Sequence, residues 1–228
     1  MPHAVIVAHG QPSDPAPAEA ALSTFARQIG ALCQRVSVYS ATLAAPQALE
    51  ECLDGLPNGT AIYPLFMARG WFVTSALPRR IGSRSVTILD PLGIDPDLPA
   101  LVTAALNQEL ARRGWTASAT DLVIAAHGSG RSPNPAAVAH KFVENLGRMT
   151  PFRSIRTGFV EQSPSIADAA TKCDGNALCL PFFACTGGHV LEDVPQELAR
   201  ASFKGHVMPV VSEIPQIQRH IAARLDTL

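Results

Sequence analysis

The sequence predicts an α/β protein of two similar βα-repeat lobes, each with a four-stranded, mostly parallel sheet flanked by helices. Two observations carry the prediction. Short apolar runs of four to seven residues alternate with longer helix-like stretches, the pattern of βα units feeding a parallel sheet buried on both faces. The whole pattern is also told twice. AVIVAHGQPSDP (Ala4 to Pro15), SVYSATLAAPQAL (Ser37 to Leu49), PLFMARGWFVTSALP (Pro64 to Pro78) and SVTILDPLGIDPDL (Ser85 to Leu98) return in the same order. Their counterparts are LVIAAHGSGRSPNP (Leu122 to Pro135), IRTGFVEQSPSI (Ile155 to Ile166), PFFACTGGHVLEDVP (Pro181 to Pro195) and GHVMPVVSEIPQI (Gly205 to Ile217). His9 and His127, Pro46 and Pro164, and Pro91 and Pro209 are each 118 residues apart, and Pro64 and Pro181 are 117 apart. Each copy spans several strands and helices, so this is a duplicated domain and not a solenoid.

In the first copy the apolar runs predict strands near 4–8, 35–40, 60–65 and 86–89, with helices at about 15–32, 46–55, 74–82 and 96–113. The second copy predicts strands near 121–126, 153–159, 176–181 and 206–211, and helices near 133–147, 164–172, 193–203 and 213–227. An N-terminal lobe over 1–113, a linker over 114–120 that lacks a hydrophobic period, and a C-terminal lobe over 121–228 follow. Ligands of such sheets bind outside the carboxyl ends of the strands, and the residues singled out below fall at such ends.

Composition narrows the function classes. Hydrophobic residues are 47% of the 228, enough for a substantial core, yet no uncharged apolar run nears the roughly 20 residues of a membrane span. No basic leader precedes the strand-like run at Ala4, so the expected location is the cytoplasm. Eighteen Lys plus Arg against nineteen Asp plus Glu leave a net charge of −1, no field for nucleic acid or an anionic membrane, and neither is expected as a partner. Five cysteines with no C-x-x-C pair argue against a disulfide framework or zinc knuckle; they read as buried small hydrophobes, with Cys185 set apart by lying four residues from His189.

Three residues carry the chemistry. His127 follows the run Leu122 to Ala126 and precedes Gly128, Ser129 and Gly130, which sets its imidazole at a strand tip on a tight turn; His9 is its twin. The Gly-Ser-Gly turn lacks the G-K-[ST] of a P-loop. Glu161, just before Gln162, Ser163 and Pro164, sits at another strand end, and alignment on Pro46 puts Leu43, or Thr42 with one gap, in its place in the first copy. His189 follows Gly187 and Gly188, which let backbone approach a ligand, and precedes a helix for which Asp193 is the expected N-cap. An ungapped fifteen-residue match places Phe72 opposite His189 and Trp71 opposite Gly188, so the first copy has aromatic surface where the second has ligand-like groups. Two imidazoles and a carboxylate suit Co²⁺, Fe²⁺, Ni²⁺ or Zn²⁺, and also serve as proton acceptors near neutral pH. Glu192 is a weaker candidate because the Asp193 cap implies a later helix start; His3, His140, His206 and His220 read as structural or solvated. Arg69, Arg79, Arg80 and Arg131 lie near loop ends and can bind carboxylates bidentately.

These segments together resemble the class II tetrapyrrole chelatases, most closely the long, two-lobed sirohydrochlorin cobaltochelatases and ferrochelatases. The marks are His-Gly-Ser (His127 to Ser129), Phe159-x-Glu161 followed by Pro164-Ser165, and Pro181 to Pro195 with its Gly-Gly-His-Val and Glu-Asp-Val-Pro. The resemblance implies a tetrapyrrole cleft between lobes and insertion of a divalent metal, Co²⁺ or Fe²⁺ with Ni²⁺ as a further candidate, as substrate, with loss of two protons and no organic cofactor. Its His, Glu, His set maps to His127, Glu161 and His189; Ser129, Arg131, Gly187, Gly188, Arg69, Trp71 and His9 are the candidate contacts for such a substrate. Many long-form relatives keep the complete set in the first half, where this chain retains only His9. The implied partner is sirohydrochlorin, the protein a monomer or homodimer, and the pathway cobalamin or siroheme biosynthesis. The rival reading is a carrier of metal or tetrapyrrole without turnover. A metal-dependent hydrolase is disfavoured by the lack of H-E-x-x-H and G-x-S-x-G.

Overall fold

The computed structural model describes residues 1–173 and 175–228. Its first half runs β1 (His3–Ala8), α1 (Pro15–Leu32), β2 (Ser37–Thr42), α2 (Ala48–Asp54), β3 (Thr60–Pro64), a π-helical turn (Phe72–Ala76) leading directly into α3 (Leu77–Ile81), β4 (Val86–Ile88) and α4 (Leu98–Arg113). The second repeats the order with β5 (Thr120–Ala126), α5 (Asn134–Met149), β6 (Ser154–Phe159), α6 (Ile166–Ala170), β7 (Asn176–Phe182), a π-helical turn (His189–Asp193) into α7 (Val194–Arg200), β8 (His206–Val207) and α8 (Pro215–Leu225). The α/β class and the two four-stranded sheets are as the sequence predicts, and every strand pairing is parallel.

The strand orders are β2-β1-β3-β4 and β6-β5-β7-β8. Matching residues take matching partners: Val5 pairs with Tyr39 on one side and Ile62 on the other, and Val123 with Arg156 and Cys179. The inner strands carry the unbroken apolar runs because helices cover both their faces, and all seven residues of β5 are buried. Val123, Ala125 and Cys179 pack under Ile166, Ala169, Val194 and Leu198 of α6 and α7; Val5, Val7 and Ile62 pack under Leu49, Leu53, Leu77 and Ile81 of α2 and α3. On the other face of the second sheet Phe142 of α5 stacks on Phe182 at 4.5 Å.

Element ends show local causes. β8 stops at Val207, short of the expected 211, because Pro209 has no N–H to continue the ladder after the bond from the Met208 N–H to the Cys179 carbonyl (2.8 Å). α6 starts at Ile166 behind a capping box, in which the Ser165 side chain accepts from the Asp168 N–H (3.1 Å) and the Asp168 carboxylate accepts from the Ser165 N–H (2.9 Å).

The chain forms two compact units, Met1–Asp95 with Ile217–Leu228, and Pro96–Gln216. The sequence repeats and these units are divided at different places, since the helix that closes each repeat belongs to the unit built on the other repeat's sheet. In the first unit α8 is tied down at its end, where the Asp226 carboxylate accepts from the Gln34 and Arg35 N–H groups (2.8 Å each), and His220 Nε2 lies 2.9 Å from Asp95. In the second, α4 contributes Glu109, whose carboxylate meets Arg113 Nε (2.6 Å), Arg112 (2.7 Å) and His206 Nε2 (3.2 Å). Among the described residues no helix is long and apolar enough to cross a membrane.

The Arg112 hydrogen bond, with further help from Arg113 and His206, lowers the Glu109 pKa from 4.5 to about 2. Between those values the unfolded chain binds more protons than the folded one, so this contribution to stability is complete above 4.5 and is lost as pH falls toward 2. Glu109→Gln is therefore expected to lower Tm above pH 5 and to flatten the acid limb of Tm against pH; an unaltered limb contradicts the assignment.

Candidate metal centre

β5 ends at Ala126 and hands His127 to a turn that only glycine can make. Gly128 has φ +69°, and a Cβ there would lie 2.7 Å from Gln162 Cγ and 2.9 Å from Phe159 Cβ. Its twin Gly10, at φ +79°, is held as tightly, 2.7 Å from Thr42 Cβ. Gln162 then accepts from the Ser129 N–H (2.8 Å), and the Ser129 hydroxyl accepts from the N–H groups of Arg131 (3.1 Å) and Ser132 (3.2 Å), so this serine builds the loop. Between that loop and α5 lies an open cavity of about 600 Å³, lined in part by Arg131 and His140.

His127 Nδ1 lies 2.9 Å from the Gly128 carbonyl. A carbonyl only accepts, so Nδ1 carries a hydrogen, and in the neutral ring the lone pair is then on Nε2. Glu161 reaches the same place from β6. The Val160 N–H bonds to the Ala126 carbonyl and the Glu161 N–H to that of His127 (both 3.0 Å), which extends the β5–β6 ladder past the strand end. The Glu161 side chain is exposed. His189 opens the π-helical turn, where Gly187 accepts from the Val190 (2.9 Å) and Leu191 (3.0 Å) N–H groups. The two imidazoles stand edge to face with centroids 4.5 Å apart. One ligand atom from each of His127, Glu161 and His189 lies within 4.8 Å of the others, a spacing that a single cation can gather.

The structure corrects two sequence expectations here. Asp193 is not an N-cap: its backbone is helical (φ −69°, ψ −45°) and its side chain makes no capping bond. The helical path starts earlier, at His189, because the chain widens by one residue into a π turn that single-period reading does not see. The Asp193 carboxylate instead sits 2.6 Å from His189 Nδ1, a contact that sequence reasoning missed and that the spacing of four within one helical run would have flagged. The first-copy partner of Glu161 is Ala44, not Leu43 or Thr42. Leu43 and Ala44 bond to Ala8 (2.9 Å) and His9 (2.8 Å) as Val160 and Glu161 bond to Ala126 and His127.

The remaining candidates fall at separate places. Burial pushes the Cys185 thiol up to about 12, and Cys185 is not among the groups that converge at the candidate centre. Arg69 is ion-paired with Asp90, and Arg80 with Glu50 while also bonding to the Leu43 carbonyl (2.7 Å). In the first unit His9 packs against Phe72 at 4.1 Å, and Trp71, 59% exposed, stands edge-on to Phe72 at 5.3 Å. Gly187 and Gly188 have open space where a Cβ would stand.

The CbiX family model matches the chain twice, over residues 3–109 and again over 121–228. The chain belongs to the CbiX family. The resemblance to the sirohydrochlorin chelatases read from the motifs is thus upheld, and the double match is the duplication itself. Among solved structures the chain is similar to CbiX, described as the terminal enzyme for biosynthesis of siroheme in denitrifying bacteria, at 42% identity and a TM-score of 0.87, covering 99% of this chain and 98% of that one. SirB from Bacillus subtilis with Fe³⁺ is 18% identical, with a TM-score of 0.73 over 99% of this chain and 94% of that one. DR2241 from Deinococcus radiodurans is 19% identical, with a TM-score of 0.74 over 97% of this chain and 54% of that one. The last two likenesses show a shared fold. Curated protein sequences contain no match.

Because Gly128 combines a positive φ with contacts below 3 Å, Gly128→Ala is expected to cost about 1–3 kcal/mol of stability and to displace the His127 ring. Chemical denaturation and a Co²⁺ titration check the two effects, and a variant that binds Co²⁺ like the parent refutes the link between turn and ring.

Proposed function

We propose that this chain is a sirohydrochlorin chelatase that inserts a divalent metal through His127, Glu161 and His189. The observation that carries the reading is the convergence of those three ligand groups within 4.8 Å, in a chain of this family. The net reaction balances as one M²⁺ taken up for two pyrrole N–H protons released. A planar macrocycle hides those protons at its centre, so the catalyst must present the metal from one face and accept protons there. The lone pair that the Gly128 carbonyl leaves on His127 Nε2 suits either task, as does a neutral His189. Glu161, whose side chain is exposed, is the group assigned here to passing protons outward.

Two imidazoles and a carboxylate accept Co²⁺, Fe²⁺ and Ni²⁺ alike. The choice of Fe²⁺, and of siroheme as the product, is supported by the siroheme role of the 42%-identical relative; cobalt binding is described for the B. subtilis subspecies spizizenii sirohydrochlorin chelatase SirB. The substrate is rich in carboxylates, which Arg131 is suited to meet in the open cavity beside α5. Trp71, on the first unit, offers an exposed flat face of the kind a macrocycle stacks on. The proposed setting is the cytoplasm.

The test is an anaerobic absorbance time course of substoichiometric protein with sirohydrochlorin and, separately, Fe²⁺, Co²⁺ and Ni²⁺. Conversion over many turnovers, fastest with Fe²⁺, is expected; a change that stops at one equivalent means a carrier. His189→Ala is expected to slow insertion by roughly 100-fold or more while sirohydrochlorin binding, read by the same absorbance, persists. Lost binding with an unchanged rate at saturation contradicts the assignment.

A further inference from the structure

His189 and Asp193 lie four residues apart on a π-helical turn, with Nδ1 of the imidazole 2.6 Å from Oδ2 of the carboxylate. The turn closes by the bond from the Val194 N–H to the His189 carbonyl. An equivalent turn, Phe72–Ala76, closes in the first repeat by the bond from the Leu77 N–H to the Phe72 carbonyl. In the ungapped match of the two segments, Phe72 stands where His189 does and Ala76 where Asp193 does. The chain therefore carries its own comparison. The π turn forms with neither polar residue, so Asp193 is not what makes the backbone take this path, and its side chain does not cap α7. The copy without the imidazole is also the copy without the carboxylate.

We infer that Asp193 is the positioning residue of His189, an inference that rests on the metal site proposed above. An ionised carboxylate only accepts, so it holds the hydrogen on Nδ1, fixes the ring by a bond to a neighbouring residue of the same rigid turn, and leaves Nε2 as the ring atom that takes the metal. His127 receives the same service from the Gly128 carbonyl at 2.9 Å. The two histidines thus present Nε2 by different means: one is held by a neutral backbone group, the other by a negative charge that strengthens His189 as a donor to a cation. The side chains of His189 and Asp193 are 42% and 41% exposed, so the pair stands open to an arriving ion.

The experiment titrates the full chain with Co²⁺ alone, without tetrapyrrole, for the parent, Asp193→Ala, Asp193→Asn, His189→Phe and the His189→Phe, Asp193→Ala double variant. Asp193→Ala is expected to weaken Co²⁺ binding about 10- to 100-fold with Tm little changed, since alanine already occupies the equivalent position of the first turn. Asp193→Asn, whose amide oxygen still accepts from Nδ1–H, is expected to recover part of the loss. In the His189→Phe background, Asp193→Ala is expected to change nothing, because its effect passes through the imidazole. The Co²⁺-loaded parent is expected to show a paramagnetically shifted, slowly exchanging His189 ring N–H proton in NMR that is absent from Asp193→Ala. An equal loss in the His189→Phe background overturns the inference, as does undiminished Co²⁺ affinity of Asp193→Ala where His189→Phe is weakened. Parent-like affinity of His189→Phe overturns the metal-site reading and this inference with it.

Discussion

The rest of the second unit depends on where the strand order of its parallel sheet reverses. With β5 between β6 and β7, the connection after β5 runs into α5 on one face, while that after β7 runs into α7 on the other. Parallel strands bonded on both sides bury their polar backbone throughout, and only their carboxyl ends release the chain. The two loops must part there, and a crevice opens between them. His127 stands in the first of those loops and His189 in the second, with Glu161 brought alongside by one extra rung of the β5–β6 ladder. The ligand set is thus a consequence of strand order, with side chains supplied at the three points the order exposes.

Having two copies separates what the scaffold requires from what the chemistry requires. Both copies keep the glycine at positive φ after the first strand, the ladder rung beyond the second, and the π turn after the third. These are backbone features, and they survive in the first copy beside Ala44, Phe72 and Ala76 in place of Glu161, His189 and Asp193. At the equivalent place the first copy has an aromatic cluster of His9, Phe66, Phe72 and Trp71, where the second has polar ligand groups. A scaffold that persists without its metal ligands owes its stability to packing, and its ligands are free to be chosen for chemistry.

Strand positions and the repeat were legible in the sequence because burial on both faces writes unbroken apolar runs such as LVIAA, and duplication writes them twice. The convergence of His127, Glu161 and His189 was legible because all three follow strand tips, which this architecture brings together. What stayed hidden has physical causes. The π turn leaves no periodic trace, since one added residue shifts the register within a single turn, and that shift turned Asp193 from an expected cap into a partner of His189. Ala44 was masked by a one-residue change in offset before Pro46. The assignment of α4 and α8 to the opposite units lies beyond any local pattern, because an amphipathic helix records that it has an apolar face and not which sheet covers it.

The openness of the proposed site is consistent with a metal that is cargo. A structural ion is held by a closed ligand shell with no position left over, and its binding energy is spent on keeping it. Here three groups converge with two of the side chains well exposed to solvent, so an ion bound by them keeps positions on the side facing away from the protein. In a chelatase of the proposed kind, pyrrole nitrogens would enter at those positions while the imidazoles still held the ion. On the proposed reading, each nitrogen that joined would weaken the hold of the protein, and the ion would pass across without ever being bare. A fourth strong ligand would deepen the first well and slow departure. Cys185 is not among the groups that converge there, and the proposed site stays one from which a metal can leave.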